Sequence, residues 1–314
     1  MEIISDIDSF QASGESVLTV GTFDGIHRGH QKIIENVKTV AKSRGALSTL
    51  VTFEPHPQLV LMKKDKPQIK LLTTREEKID LLRNIGLDRV IVLQFTPALA
   101  SLSPEEFVRK VLIEKLCMKH FIIGHDHAFG RNRAGNFSLL VEMSKNKDFK
   151  VDAVDPLLLD GQIVSSTKVR NLLQDASVSQ ANILLGRQYS IRGKVVSGYG
   201  RGRDLGFPTA NIQPLSENKL VPKIGIYATR MRVDKNVYDS VTYIGNRPTF
   251  NLKHKVIEVH IADDFQENLY EKQVELSFVS FIRKDARFDS TEELIYQIEV
   301  DKQESLKILT QEKG

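Results

Sequence analysis

The chain contains one cysteine, Cys117, among 314 residues. No internal disulfide can form, which fits a reducing compartment and excludes a stapled secreted scaffold. Tryptophan is absent and aromatic residues make up only 7%. Single-stranded nucleic acids are held on aromatic platforms beside a basic groove, and this composition offers few. Charge of one sign is scarce too: 44 Lys+Arg against 40 Asp+Glu leave a net charge of +4. The basic residues are spread along the chain, not gathered in the patch of a nucleic-acid binder. No apolar run approaches the roughly 20 residues of a membrane helix. Met1-Glu2-Ile3-Ile4-Ser5-Asp6 has neither the basic nor the apolar region of a signal peptide, so a cytoplasmic location is expected. What is present is ordinary for globular proteins, 41% hydrophobic and 27% charged residues. The length suggests about two domains, each able to bury its own core.

The first half alternates strand and helix patterns. Val17–Val20 reads as a buried strand ending at Gly21, and Leu47–Phe53, Val90–Leu93 and Phe121–Gly124 read likewise. Ile33, Ile34, Val37, Val40 and Ala41 recur at helical spacing, and Gly45 closes that helix. Thr73-Thr74 followed by Glu76-Glu77 has the form of a capping box, for a helix that stops at Gly86. Ser103-Pro104-Glu105-Glu106 orders an N-cap, a first-position proline and a capping glutamate. The alternation predicts a parallel α/β sheet with right-handed crossovers, whose ligands sit at the carboxyl ends of the strands. The loops after Val20, Phe53, Ile123 and Val164 are therefore the places to look.

The second half changes character near Gly186. Ile191–Val196, Ile226–Val233, Ser240–Ile244, Val256–Ile261 and Val274–Phe281 read as short strands between turn residues, predicting a small closed β-barrel. A terminal helix follows, with Leu294, Ile295, Ile298 and Leu306 expected on its apolar face. The predicted domains are 1–185 and 186–314.

One segment carries chemistry in its spacing. Gly21-Thr22-Phe23-Asp24-Gly25-Ile26-His27-Arg28-Gly29-His30 lies where a strand turns into a helix. His27 and His30, three apart, share one face of the helix start. The amide groups and dipole there attract anions, and glycines let the backbone come close. Two imidazoles would add donors for a triphosphate under attack. A metal pair would want further Cys, Asp or His ligands nearby, and none is adjacent. Histidines that merely pack in a turn are the other reading, which the glycines and the strand–loop–helix setting outweigh.

These ten residues resemble the nucleotidylyltransferase signature, and Phe23-Asp24-Gly25 is similar to the form found in prokaryotic riboflavin kinase/FAD synthetase. Further segments match that family in order: Thr52-Phe53-Glu54-Pro55-His56-Pro57, Gly124-His125-Asp126-His127-Ala128-Phe129-Gly130, Arg133-Ala134-Gly135-Asn136 and Ser165-Ser166-Thr167-Lys168-Val169-Arg170. In the barrel half, Gly206-Phe207-Pro208-Thr209-Ala210-Asn211, Gly225–Ala228, Gly245–Phe250, Glu258–Ile261 and Phe281–Arg283 continue the match.

The resemblance implies a Rossmann-like nucleotidylyltransferase domain followed by a flavokinase barrel. The first would adenylylate FMN with ATP, releasing pyrophosphate. His27 and His30 would be its catalytic residues. Gly21, Phe23, Asp24, Gly25, Ser165, Ser166, Thr167 and Arg170 would join them at ATP, although hydroxyls at a helix start can also be simple caps. His56, Pro57, Asp126, Phe129, Arg133 and Asn136 would line the flavin side. The second half lacks the G-x-x-x-x-G-K-[ST] of an ordinary P-loop. The resemblance gives it riboflavin phosphorylation, with Gly200, Gly206, Pro208, Thr209 and Asn211 at ATP and Arg283 at the flavin. Thr209 and Asn211 offer oxygens suited to Mg²⁺, and Glu258 is the candidate general base, although a strand glutamate can simply be solvated.

The chain departs from the family pattern at His127, at Glu271 (where glycine usually follows the tyrosine) and at Ala262-Asp263-Asp264-Phe265. An FAD synthetase with an inactive barrel is the alternative, and a basic barrel binding single-stranded nucleic acid is the alternative of another class. The expected partners are ATP, riboflavin and FMN, with FAD as product, no nucleic acid and no membrane. A monomer or weak homo-oligomer is expected.

Overall fold

A computed structural model of the chain describes every residue except 63–66, 125–128, 132–133, 146–147, 199–201, 203–204, 250–251, 263–264, 266–267 and 314, and leaves the side chains of 247–249, 252–254 and 313 undescribed. It divides into two compact units, Met1–Ser165 and Ser166–Gly314.

The first unit runs β1 (Glu2–Ile4), β2 (Ser16–Val20), α1 (Arg28–Arg44), β3 (Leu47–Glu54), α2 (Pro57–Val60), α3 (Arg75–Ile85) and β4 (Arg89–Gln94). Next come α4 (Pro97–Ser101), α5 (Pro104–Glu106) passing into a π-helical stretch at Phe107–Ile113, β5 (Met118–Gly124), α6 (Phe137–Lys145), β6 (Lys150–Val154) and a small hairpin of β7 (Leu158–Leu159) and β8 (Gln162–Ile163). The sheet order is β1-β4-β3-β2-β5-β6, and all its pairs are parallel, as predicted. Alternate strand residues serve two cores. Val17, Leu50, Val90, Val92 and Ile122 pack with Ile34, Val37 and Ala41 of α1 and Leu82 of α3. Leu18, Val20, Val51, Ile91, Leu93, Phe121 and Ile123 pack on the other face with Phe107, Val108 and Leu112. Each such side chain contributes about 1.5–3 kcal/mol when fully buried.

The helix ends follow the chemistry of the sequence. Gly45 caps α1 at φ 64, its N–H reaching Ala41 and Lys42. Thr74 and Glu77 form a capping box on α3, and Ser103 and Glu106 form another on α5. From β2 the strand order grows to β3 on one side and β5 on the other. The switch point therefore lies at the carboxyl end of β2, where Gly21–His27 runs.

The second unit contains α7 (Ser166–Gln174), α8 (Val178–Leu185), β9 (Tyr189–Val196), β10 (Ala210–Pro214), β11 (Gly225–Val233), β12 (Asn236–Thr249), β13 (Leu252–Ile261), β14 (Gln273–Arg283) and α9 (Thr291–Lys313). The strands close into an antiparallel barrel ordered β10-β13-β12-β11-β14-β9. Its buried residues include Tyr189, Ile191, Tyr227, Ile257, Val259, Leu276 and Phe278. Helix α8 lies on the barrel: Asn182 Nδ2 donates to Phe278 O (2.9 Å), and Tyr189 N donates to Asn182 Oδ1 (2.7 Å).

Two expectations need adjustment. β10 is a strand that the pattern did not announce. The buried seam of α9 is Asp301, Ser305 and Leu309, with Leu294, Ile298 and Leu306 half-buried and Ile295 exposed. Polar groups sit in that seam because each has a partner. Ser305 Oγ donates to Ser240 O (3.0 Å), and Asp301 accepts two bonds from Arg283 (2.8 and 2.7 Å). At the departure noted above, Glu271 takes the left-handed conformation itself (φ 67). The turn still closes, with Glu271 N donating to Val195 O (3.0 Å) and Lys272 N to Leu269 O (3.1 Å).

Candidate active sites

In the first unit, His27 is the N-cap of α1, and its Nδ1 accepts from His30 N at 3.2 Å. That acceptor role leaves the proton of a neutral His27 ring on Nε2. The two imidazoles stack with centroids 3.6 Å apart and 18° between planes. Phe23 meets His30 edge-on at 5.0 Å. The first turn of α1 carries no acidic residue, so nothing there opposes an anion. The loop before it is sharply bent, with Phe23, Gly25 and Ile26 at φ 47, 86 and 40. A Cβ on Gly25 would come within 2.7 Å of Leu72, and one on Gly29 within 3.3 Å of Val164 O. The chain leading into Ser165 thus passes against the start of α1.

Asp24 holds this loop. It is 1% exposed, and its carboxylate accepts from Leu72 N, Thr73 N (both 3.0 Å) and the Thr73 hydroxyl (3.2 Å). His56 caps α2 with Nδ1 accepting from Gln58 N (3.2 Å), and Pro57 opens that helix. Phe129 is buried between Phe107 and Phe121, at 6.2 and 5.9 Å between centroids. Asn136 is exposed and accepts from Leu139 N (3.0 Å) at the start of α6. Asp126 and Arg133 lie outside the described residues. Ser165 ends the first unit, while Ser166, Thr167 and Arg170 lie in α7 of the second.

In the barrel, register brings the chemistry together. Asn211 of β10 pairs with Glu258 of β13, which also pairs with Tyr243 of β12. Directly paired residues of antiparallel strands project to the same face, their Cβ atoms about 4.5–5.5 Å apart. Asn211, Glu258 and Tyr243 therefore form one row across three strands. Ile257 and Val259, on either side of Glu258, are 2% and 1% exposed, so the row faces away from the barrel core. Thr209 is exposed two residues before Asn211, after Gly206 at φ 83. Gly200 lies outside the described residues. Arg283 is committed to Asp301 through Nε and Nη2 and to Lys284 O through Nη1.

Comparison with known proteins matches both halves of the chain to one family. A family model described as FAD synthetase matches residues 9–168, and one described as riboflavin kinase matches residues 185–309. The bifunctional riboflavin kinase/FMN adenylyltransferase of Listeria monocytogenes is 36% identical over 92% of this chain and 91% of its own. The chain belongs to the bifunctional riboflavin kinase/FMN adenylyltransferase family. The proteins of that name from Bacillus subtilis and Escherichia coli are 36% and 34% identical, covering 95% and 96% of this chain and 93% and 96% of their own. A crystal structure described as a macrolide-efflux protein from Streptococcus pneumoniae superposes with a TM-score of 0.87 at 28% identity, over 96% of this chain and 97% of that one.

Set against the family blocks, the structure adds residues that the motifs did not single out. Lys78 of α3 is buried beneath the bent loop, its Nζ donating to Thr22 O (2.9 Å). Burial lowers its pKa, opposed by Asp24 and Glu54. Glu54, at the end of β3, is pushed up, chiefly by burial. Tyr243 donates to Asp285 Oδ2 (3.2 Å), and its phenol is pushed up to about 12 by burial, then by Asp285 and Glu258. Glu54 stands inside the quoted Thr52–Pro57 block without a role of its own, and Lys78 and Tyr243 carried no sequence signal, because their partners are distant in sequence. Among the described residues no group of three or more His, Cys, Asp or Glu could hold a metal ion, and no helix is long and apolar enough to cross a membrane.

Proposed function

We propose that the chain converts riboflavin to FMN and FMN to FAD, using ATP twice. In the second unit the terminal ribityl hydroxyl attacks the γ-phosphorus of ATP, the bond to the β-phosphate oxygen breaks, and ADP leaves. Glu258 takes the hydroxyl proton as general base. Thr209 and Asn211 would hold Mg²⁺ through neutral oxygens next to that carboxylate, a donor set that fits a hard cation otherwise bound by phosphate and water. The ion supplies charge neutralisation at the phosphates when bound. Gly206 and Pro208 shape the approach to ATP, where the resemblance also puts Gly200, and it puts Arg283 at the flavin side.

In the first unit a phosphate oxygen of FMN attacks the α-phosphorus of ATP, and pyrophosphate leaves. His27 and His30 donate to the phosphates as negative charge shifts during the transfer, helped by the α1 dipole. Gly21, Phe23, Asp24 and Gly25 shape that loop, Asp24 through its bonds to Leu72 and Thr73. The family resemblance would give Ser165, Ser166, Thr167 and Arg170 the role of a second phosphate clamp. His56, Pro57, Asp126, Phe129, Arg133 and Asn136 belong to the flavin side. The functional division falls at 185/186. The protein acts in the cytoplasm as a monomer or weak homo-oligomer.

The observation that carries the bifunctional reading is the barrel register that sets Asn211 directly opposite Glu258. Relatives aligned through both halves carry the bifunctional name, which disfavours an FAD synthetase with an inert barrel. The test is to incubate the chain with riboflavin, ATP and Mg²⁺ and separate the flavins. FMN followed by FAD is expected. FAD from supplied FMN, with no FMN from riboflavin, would select the single-activity alternative. Absence of product from either flavin would overturn the enzymatic reading.

A further inference from the structure

We propose that His260 is a positioning residue for the kinase reaction: its imidazole fixes the Pro208–Thr209 segment against the strand that carries Glu258. The inference rests on the kinase reading of the barrel and deepens it. His260 follows Glu258 by two residues on β13, so both side chains leave the same face of the strand. It is 8% exposed, and its Nδ1 lies 2.9 Å from Pro208 O. A carbonyl only accepts, so Nδ1 carries the hydrogen. The same ring meets Phe207 edge-on, 5.5 Å between centroids. One imidazole therefore holds the two residues immediately before Thr209.

The strand ladders do not reach this segment, which is otherwise held by Phe207 N donating to Gly202 O (2.7 Å). β10 begins only at Ala210, whose partner is Val259. Pro208 has no N–H to give to a sheet, and Gly206, at φ 83, turns the chain just ahead. Packing alone does not account for a histidine here. Among the described residues its buried Nε2 has no hydrogen-bond partner, a cost that an apolar side chain of similar size would avoid. The Nδ1–Pro208 contact is what distinguishes histidine from such a residue. Thr209 would be displaced if that contact were lost, and with it the oxygen offered at the ATP phosphates.

The test compares His260→Asn, which can place an amide N–H near the Nδ1 position, with His260→Gln and His260→Ala, which cannot. FMN formation is measured against ATP concentration, with FAD formation from FMN and the melting temperature as controls on the fold. The expected result is a rise of about tenfold in the KM for ATP in the Gln and Ala variants, the scale of one lost hydrogen bond. The Asn variant should stay within about twofold of the unaltered protein on the same scale. FAD formation should not change. An unaltered KM for ATP in the Gln variant, or a lowered melting temperature as its sole effect, would overturn the proposal. If the unaltered chain forms FAD from FMN but no FMN from riboflavin, the kinase reading itself falls and this role falls with it.

Discussion

Asp24 shows how a residue inside a binding motif can act through the backbone. Its carboxylate accepts from donors of the Leu72–Thr73 segment, so an amide in its place would turn an N–H₂ toward N–H groups. Asp24→Asn is expected to cost about 1–3 kcal/mol, read as a lower melting temperature. It should also slow FAD formation while FMN formation persists; an unchanged melting temperature would mean that Asp24 does not hold the loop. Two histidines set a pH dependence. His120 (4% exposed) and His260 are both held below the usual imidazole range, burial being the largest cause in each. The unfolded chain then binds more protons than the folded one, so stability present above the unfolded value of about 6.5 is lost as pH falls through it. Denaturant melts at pH 8 and pH 5, about 1.5 units either side of the unfolded value, should show this loss, reduced in His260→Asn. At this scale His27 and His30 were legible because their relation is a helical spacing. Lys78, Tyr243 and His260 were not, because each acts on a partner brought near only by the fold.

Elements were legible where their own pattern decides them. The capping boxes at Thr74 and Ser103 and the Gly45 cap are local chemistry, and they form where the residues stand. β1 and β6 pair at the edges of the sheet and β10 in the barrel; these have three, five and five residues. Such short segments are set by neighbours and not by alternation. The seam of α9 was misjudged for a related reason, since Asp301 and Ser305 are buried by partners on other elements. The turn at Glu271 supplies a prediction on this scale. A non-glycine left-handed residue costs about 1–2 kcal/mol, partly offset by its exposed ion pair with Lys194 and by the smaller backbone entropy it has to lose. Glu271→Gly should therefore raise barrel stability by up to about 1 kcal/mol and leave the KM for riboflavin unchanged. A lower melting temperature would contradict this.

On the scale of the molecule, the sequence showed two halves of different character and drew their boundary at 185/186, which puts α7 and α8 with the first half. The contacts of Ser179 and Asn182 with β14 and of Asn182 with Tyr189 tie α8 to the barrel, and Lys223 N bonds Leu173 O of α7. A fragment of residues 166–314 is therefore expected to melt above one of residues 186–314, which loses these bonds and the buried Ala181 and Leu185. The central claim is two chemistries at two separate sets of residues. It is tested most directly by assaying His30→Ala and Glu258→Ala in parallel, each with riboflavin and with FMN as substrate. The account predicts that His30→Ala still makes FMN but no FAD, and that Glu258→Ala makes FAD from FMN but no FMN from riboflavin. Loss of both activities in either folded variant would contradict it.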